Sequence, residues 1–308
     1  MKIYCSGKDI TEIVTSTSWS GDDKQASRTL EFGIAVSPND YYLPKVTIKM
    51  GDMVVGIKDD EEIFQGYVFA KEKSINSNEM TVTAYDGLIY LLKSKGTYNF
   101  KNMAPNAIAS KACGDFGIPI GSLAGGSPLN HIFDREVIYN IITTAYQVET
   151  NKTGTMYLPR MDKGKLNVIQ KGSKITKFVL DAKTTIIDST YGESMENAIN
   201  KVKIFSEEGK ELGEVNLGGI PGILQDIYVK EKGKDANSQA KKLLKGIEKT
   251  ASIEAIGDIE CISGNSVVVK EPYTGLSGIF YIDTDEHSFS NGQHTMTLGL
   301  SFKQMGGE

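Results

Sequence analysis

Cysteine is scarce in this sequence: of 308 residues only Cys5, Cys113 and Cys261 carry a thiol, far apart and odd in number. That excludes a disulfide framework and fits a reducing compartment with buried or idle thiols. Histidine occurs only at His131, His287 and His294, and tryptophan only at Trp19. No stretch approaches the roughly 18 apolar residues of a membrane helix, so no membrane insertion is expected. The start, Met1 to Asp9, has no apolar signal region, and the chain is expected to stay soluble where it is made. Positive charge is not in excess, with a formal net charge of -5. Neither a basic stripe nor a stacking series of aromatics is present, so no specific nucleic-acid binding is expected.

Catalytic signatures are missing too. There is no HExxH, paired CxxC, GxSxG elbow, P-loop or dinucleotide glycine fingerprint. Gly125-Gly126 is too short to cradle a phosphate and reads as a loop. No catalytic residue and no cofactor are therefore expected. The sharpest metal candidate is the last hairpin. A two-residue turn at Asn291-Gly292 sets His294 opposite Phe289 and His287 opposite Met296, placing both imidazoles on one face with Asp285 next along. No third ligand has a characteristic spacing, so hydrogen-bonded structural histidines are the expected outcome. The acidic run Asp59-Asp60-Glu61-Glu62 reads as a solvated turn, because unpaired carboxylates are rarely buried. Its alternative role is to line a lumen and repel passing polyanions. Trp19, among small polar residues, reads as core, with an interface anchor as the alternative.

What is present is pattern. Hydrophobic residues make up 40% of the chain, and in the first part they alternate. Leu30–Val36, Lys45–Met50, Met53–Ile57, Ile63–Ala70 and Met80–Tyr85 are period-two runs punctuated by turn residues, predicting an antiparallel sheet or barrel. The middle is a small α/β unit. Pro105 opens a helix with Ile108, Ala109, Ala112 and Phe116 on one face. Asp134 is the predicted N-cap, with Glu136 in the first turn, of a second helix carrying Val137, Ile138, Ile141, Ile142 and Ala145. Gly121 to Pro128 between them is a small-residue loop, and Thr155–Leu158 with Lys165–Ile169 form a hairpin around Asp162-Lys163-Gly164. From about Lys177 strands return, interrupted by one helix over about 235–249, and Ser290-Asn291-Gly292-Gln293 is the strongest hairpin signal. The division read from this is 1–95, a first β-barrel; 96–176, an α/β domain; and 177–308, a second β-barrel with one helix.

The two β regions share an order of features. Gly51, Val54-Val55, Gly66 and Thr81-Val82-Thr83 are matched by Gly264, Val267-Val268, Gly278 and Thr295-Met296-Thr297. Either one chain holds two related barrels, or any two meanders look alike at this level. Strand order decides between the two.

Several strings resemble the XkdQ-like family of phage-tail baseplate hub proteins. They are Tyr273 to Phe289 continuing through Asn291 to Leu298, Ile63 to Val68, Tyr85 to Ser94, and Ala104-Pro105 with Ile108-Ala109. They occur in family order from about Lys45 to Phe302. The resemblance implies a mainly β fold with α/β elements, two tube-like antiparallel β-barrels plus a small α/β domain. It further implies a homotrimeric ring adapting the sixfold tail tube to a threefold spike, with tube, spike and other baseplate proteins as partners. Assembly in the bacterial cytoplasm would be followed by a place in a phage tail or a capsid-less bacteriocin. The alternatives are a tail-associated cell-wall-degrading enzyme, which 308 residues of barrel leave no room for, and a cell-wall-binding module.

Overall fold

The computed structural model describes residues 1–24, 27–37, 45–74 and 77–302. The first seven strands are β1 (Lys2–Cys5), β2 (Lys8–Asp9), β3 (Val14–Asp22), β4 (Thr29–Ala35), β5 (Met53–Lys58), β6 (Glu61–Lys73) and β7 (Glu79–Asp86). Their alternation buries Ile3, Trp19, Leu30, Phe32, Ile34, Val54, Phe64, Val68 and Val82 in one core. Between β5 and β6 the chain turns on Asp59 and Asp60, both at positive φ, the two-residue geometry that suits the twist of adjoining strands. The expected strand at Lys45–Met50 does not form. A turn draws the segment away, with Lys49 N donating to Asp52 Oδ2 (2.8 Å) and Asp52 N to Lys49 O (3.2 Å). Ile48 is still buried, so the apolar spacing reported packing without a ladder.

The middle of the chain comprises α1 (Leu88–Lys93), β8 (Lys95–Met103), α2 (Pro105–Asp115), β9 (Ile120–Leu123), β10 (Leu129–Val137), α3 (Ile138–Thr153), β11 (Tyr157–Asp162) and β12 (Lys165–Gln170). Ile108, Ala109 and Ala112 of α2 pack with Ile138, Ile141, Ile142 and Ala145 of α3. Three details differ from expectation. Phe116 is the C-cap of α2, one residue past its end, and lies 36% exposed. Part of the expected 121–128 loop is strand β9. Asp134 and Glu136 belong to β10, where a register shift between Phe133 and Glu136 and a positive φ at Arg135 mark a bulge. Glu136 nevertheless serves the start of α3, accepting from Val137 N (3.0 Å) and Asn140 Nδ2 (2.8 Å).

The remaining elements are β13 (Ile175–Asp181), β14 (Ile186–Ser194), β15 (Lys201–Phe205), β16 (Glu211–Asn216), β17 (Gln225–Val229), α4 (Ala236–Leu243), β18 (Glu248–Ile256), β19 (Ser266–Glu271), β20 (Leu276–Ser290) and β21 (Gln293–Phe302). Thr190–Ala251 is a compact unit by itself; the rest of the chain is the other. In the smaller unit the sheet β16-β15-β17 packs Val202, Ile204 and Val215 against Ala240 of α4. Asp235 caps this helix through Ser238 N (2.9 Å), as the start of the expected helix requires. The helix stops at Leu243, well short of 249. Lys245 exchanges both backbone hydrogen bonds with Ile199 (2.9 Å each), which commits its backbone to extended geometry.

Among the described residues thirteen strands form one sheet, in the order β14-β18-β21-β20-β3-β4-β7-β6-β5-β1-β2, with β19 paired to β20 and to β13. Within it two six-strand sets repeat. The first runs β1-β5-β6-β7-β4-β3 and the second β13-β19-β20-β21-β18-β14. Each position is filled by the corresponding strand in chain order. The match reaches the irregularities: β6 bulges against β7 between Val68 and Ala70, and β20 bulges against β21 between Ile282 and Thr284. A bulge is a positional feature of a ladder, and generic meanders do not share one. The bulge aligns Val68 with Ile282 and Val82 with Leu298. The sequence pairing of Gly66 with Gly278 was therefore two residues out, a slip that keeps every side chain on its face. Differences remain: β1 meets β5 antiparallel and β13 meets β19 parallel, and the irregularity between Gly56 and Ile57 in the β5–β6 ladder has no counterpart between β19 and β20.

Candidate functional site: the seam between the two sheet repeats

The repeats are not separate barrels. They are stitched by an antiparallel ladder between β3 and β20, running from Thr284 opposite Asp22 to Phe289 opposite Thr17. The bulge in β20 makes this seam possible. Before it Phe280 and Ile282 point inward; after it the inward parity passes to Asp285, His287 and Phe289. Phe289 enters the core of the first repeat, and Trp19 faces His287 across the ladder.

A buried ion pair lies under the seam. Arg28, 5% exposed, and Asp285, 2% exposed, form a fork in which Nη1 donates to Oδ1 (3.0 Å) and Nη2 to Oδ2. Ser263 N also donates to Asp285 Oδ1 (2.6 Å). Burial pushes the Asp285 carboxyl up, but the Arg28 guanidinium and the His287 ring together hold it below the usual carboxylate range. Arg28 lies 4.1 Å above the Trp19 ring centroid, and the Trp19 and His287 rings are 5.0 Å apart. Gly21 is required here, since a Cβ would lie 2.2 Å from Arg28 Nη1.

The hairpin histidines meet as the turn geometry predicts. His287 pairs with Met296 and Phe289 with His294, around Asn291 and Gly292 at positive φ. His287 Nδ1 is 3.0 Å from His294 Nε2, and His287 Nε2 is 3.1 Å from Cys261 O. A carbonyl only accepts, so Nε2 carries a proton toward Cys261 O, and Nδ1 shares one proton with His294 Nε2. Asp285 Oδ2 lies 3.4 Å from His287 Nε2. Sequence reading brought these residues together correctly, yet their polar atoms are committed to one another, to Arg28 and to backbone. Among the described residues no group of three or more His, Cys, Asp or Glu side chains could hold a metal ion.

Sequence reading missed the basic members of the seam. Lys171, just past β12, binds Asp283 Oδ1 (2.7 Å) and Asp23, while Asp23 N donates to Asp283 O (2.9 Å). Lys171 thus clamps the end of β3 to β20. Arg160 of β11 donates to Ser263 O (3.2 Å) and Asn265 Oδ1 (3.1 Å), and burial lowers its pKa to about 10. The 59–62 turn holds cations: Lys58 meets Asp59 (2.7 Å), Lys2 meets Asp60 (3.7 Å) and Lys163 meets Glu61 (3.8 Å).

Two groups near the seam titrate in opposite senses. Burial, with the neighbouring His287 and Lys58 charges, lowers His294 to about 4. Burial raises Asp86 to about 6 despite bonds from Arg28 N, Leu88 N and Ser27. Between pH 6.5 and 4 the unfolded state protonates His294 and the folded state does not, so acidification removes stability. Between pH 6 and 4 the folded state protonates Asp86 and the unfolded state does not, so acidification adds stability. Urea titrations across this window are expected to show a shallower acid loss for His294→Gln, by about 1–2 kcal/mol after allowing for partial solvent screening. Asp86→Asn is expected to show a steeper one.

The chain belongs to the YqbQ-like family, whose model matches residues 17–301. It is 29% identical to the uncharacterized protein YqbQ of Bacillus subtilis (strain 168) over 94% of this chain and 92% of that one. It is 27% identical to the phage-like element PBSX protein XkdQ of the same organism, with the same coverage. Its fold is shared by the 43 kDa tail protein of prophage MuSo2 from Shewanella oneidensis, with a TM-score of 0.76 at 16% identity over 97% of this chain and 96% of that one.

Proposed function

We propose that this chain is a non-enzymatic structural subunit of a tail baseplate, a hub joining the tail tube to the central spike as a homotrimeric ring. The observation that carries this reading is the repeated six-strand order with its repeated bulge. Two similar sheets in one chain let three copies offer six similar segments to a sixfold tube and three equivalent faces to a spike. A relative in a phage-like element and the fold shared with a prophage tail protein support the setting. In this reading 1–95 and 177–308 form the wall and 96–176 buttresses it, with assembly in the cytoplasm before incorporation into the tail or a bacteriocin. The 59–62 turn faces the channel, where its lysine partners offset much of its charge, so its field on a passing polyanion is weak.

Native mass measurement tests the proposal. The expected species is three times the 33.6 kDa chain, alone or after mixing with tube and spike proteins. A monomer under both conditions overturns the hub. Peptidoglycan pulldown and turbidity clearing are expected to give no signal, and a signal in either favours the cell-wall alternative.

A further inference from the structure

In the Lys171 clamp one ammonium faces two carboxylates. Its Nζ lies 2.5 Å from Asp23 Oδ2 and 2.7 Å from Asp283 Oδ1. The Lys171 and Asp23 side chains are each 13% exposed. Lys171 Nζ stands 5.3 Å over the Tyr281 ring, and Gly172 follows so closely that a Cβ there would lie 2.1 Å from that ring. Among the described residues Asp23 Oδ1 is buried with no hydrogen-bond partner. A carboxylate that spreads its charge onto an unsatisfied oxygen is costly away from water. Burial accordingly pushes the Asp23 carboxyl up, against its bond from Lys171.

We propose that Lys171 and Asp23 form a modification site, joined by an isopeptide bond that the chain makes on itself, with Asp283 as proton carrier. Nζ bonds to the Asp23 Cγ, and the Cγ–Oδ2 bond breaks. Of the three ammonium protons, one stays on the amide nitrogen and two leave with Oδ2 as water. Asp283 moves them and ends as the carboxylate it began as, so no other reactant is needed. Oδ2 against Nζ holds the carbon close behind it, the proximity that makes such a step unimolecular. Asp283 touches the same nitrogen and can take its proton. That transfer is the demanding step. Burial lowers the Lys171 pKa, but the bonds to Asp23 and Asp283 more than reverse this and keep the amine protonated. The product replaces two opposed charges by a neutral amide, and the orphaned oxygen becomes an uncharged carbonyl. The amide N–H donates to Asp283 Oδ1, which keeps Ser301 Oγ as a second donor (2.9 Å). The bond ties the end of β3 to the segment after β12, 148 positions on, and closes a covalent loop around β4 to β12.

Intact mass spectrometry of the purified full chain tests this without any variant. The expected mass is one water below that of the sequence, with fragment spectra joining Asp23 to Lys171. Asp23→Ala and Lys171→Ala are expected at their full sequence masses, and denatured in detergent both are expected to migrate behind the more compact linked chain. Asp23→Asn is expected to lose ammonia in place of water, because the leaving group has changed. Asp283→Ala is expected to keep its full mass; loss of water at the rate of the unaltered chain would overturn the carrier role. A full mass for the unaltered chain overturns the bond and leaves an ion pair. So does a missing water traced to another site, such as ring closure at Asp86-Gly87.

Discussion

Replacing Asp285 by alanine is expected to lower the unfolding free energy by about 3–5 kcal/mol, the range for removing one partner of a buried ion pair. The loss exceeds that of an ordinary hydrogen bond because Arg28 stays behind, buried and charged. Among the described residues its fork meets no other carboxylate, and Ser263 N loses its acceptor as well. Arg28→Met combined with Asp285→Leu is expected to recover most of the deficit, since removing both charges leaves no uncompensated group. Urea midpoints on the three proteins measure this. A single-variant loss below about 1 kcal/mol, the range of exposed pairs, would show the pair to be solvated.

Trp19→Ala is expected to cost about 3–5 kcal/mol, as large-to-small changes of buried aromatics do. The ring is 2% exposed and lies between Arg28 and His287, so truncation opens a cavity under the seam and strips the cation of its aromatic face. Trp19→Phe is expected to cost much less. Among the described residues the indole Nε1 is buried without a hydrogen-bond partner, so no bond is lost with it. Trp19→Ala and Asp285→Ala share Arg28 as a neighbour and are expected to combine non-additively.

Alternation made β4 to β7 and β19 to β21 legible but not β1, β3, β13, β14 or β18, and the Asn-Gly and Asp-Lys-Gly turns made the hairpins legible, because these signals act within a few residues. The meeting of His287 with His294 was readable for the same reason: one hairpin fixes it. The seam was not, because Arg28 and Asp285 lie 257 positions apart and no local rule joins them. One signal was available. The chain uses arginine only at positions 28, 135 and 160 and lysine everywhere else, and arginine is favoured where a planar fork must close a buried pair. Two of those three arginines bond at the seam. The helix expected over 235–249 forms from its Asp235 cap but ends early, at Leu243, for the opposite reason, since its local spacing stayed helical and the distant Ile199 claimed Lys245. The duplication stood open until strand order and a shared bulge decided it, and neither is written in composition.

The central claim, that one chain supplies two like segments of a ring wall, is tested most directly by end-on class averages of the assembled particle in the electron microscope. The account predicts a threefold ring with a central hole and six similar wall segments, giving a strong sixfold component at low resolution that resolves into threefold. A ring of any other multiplicity, or three segments with no sixfold component, would contradict it.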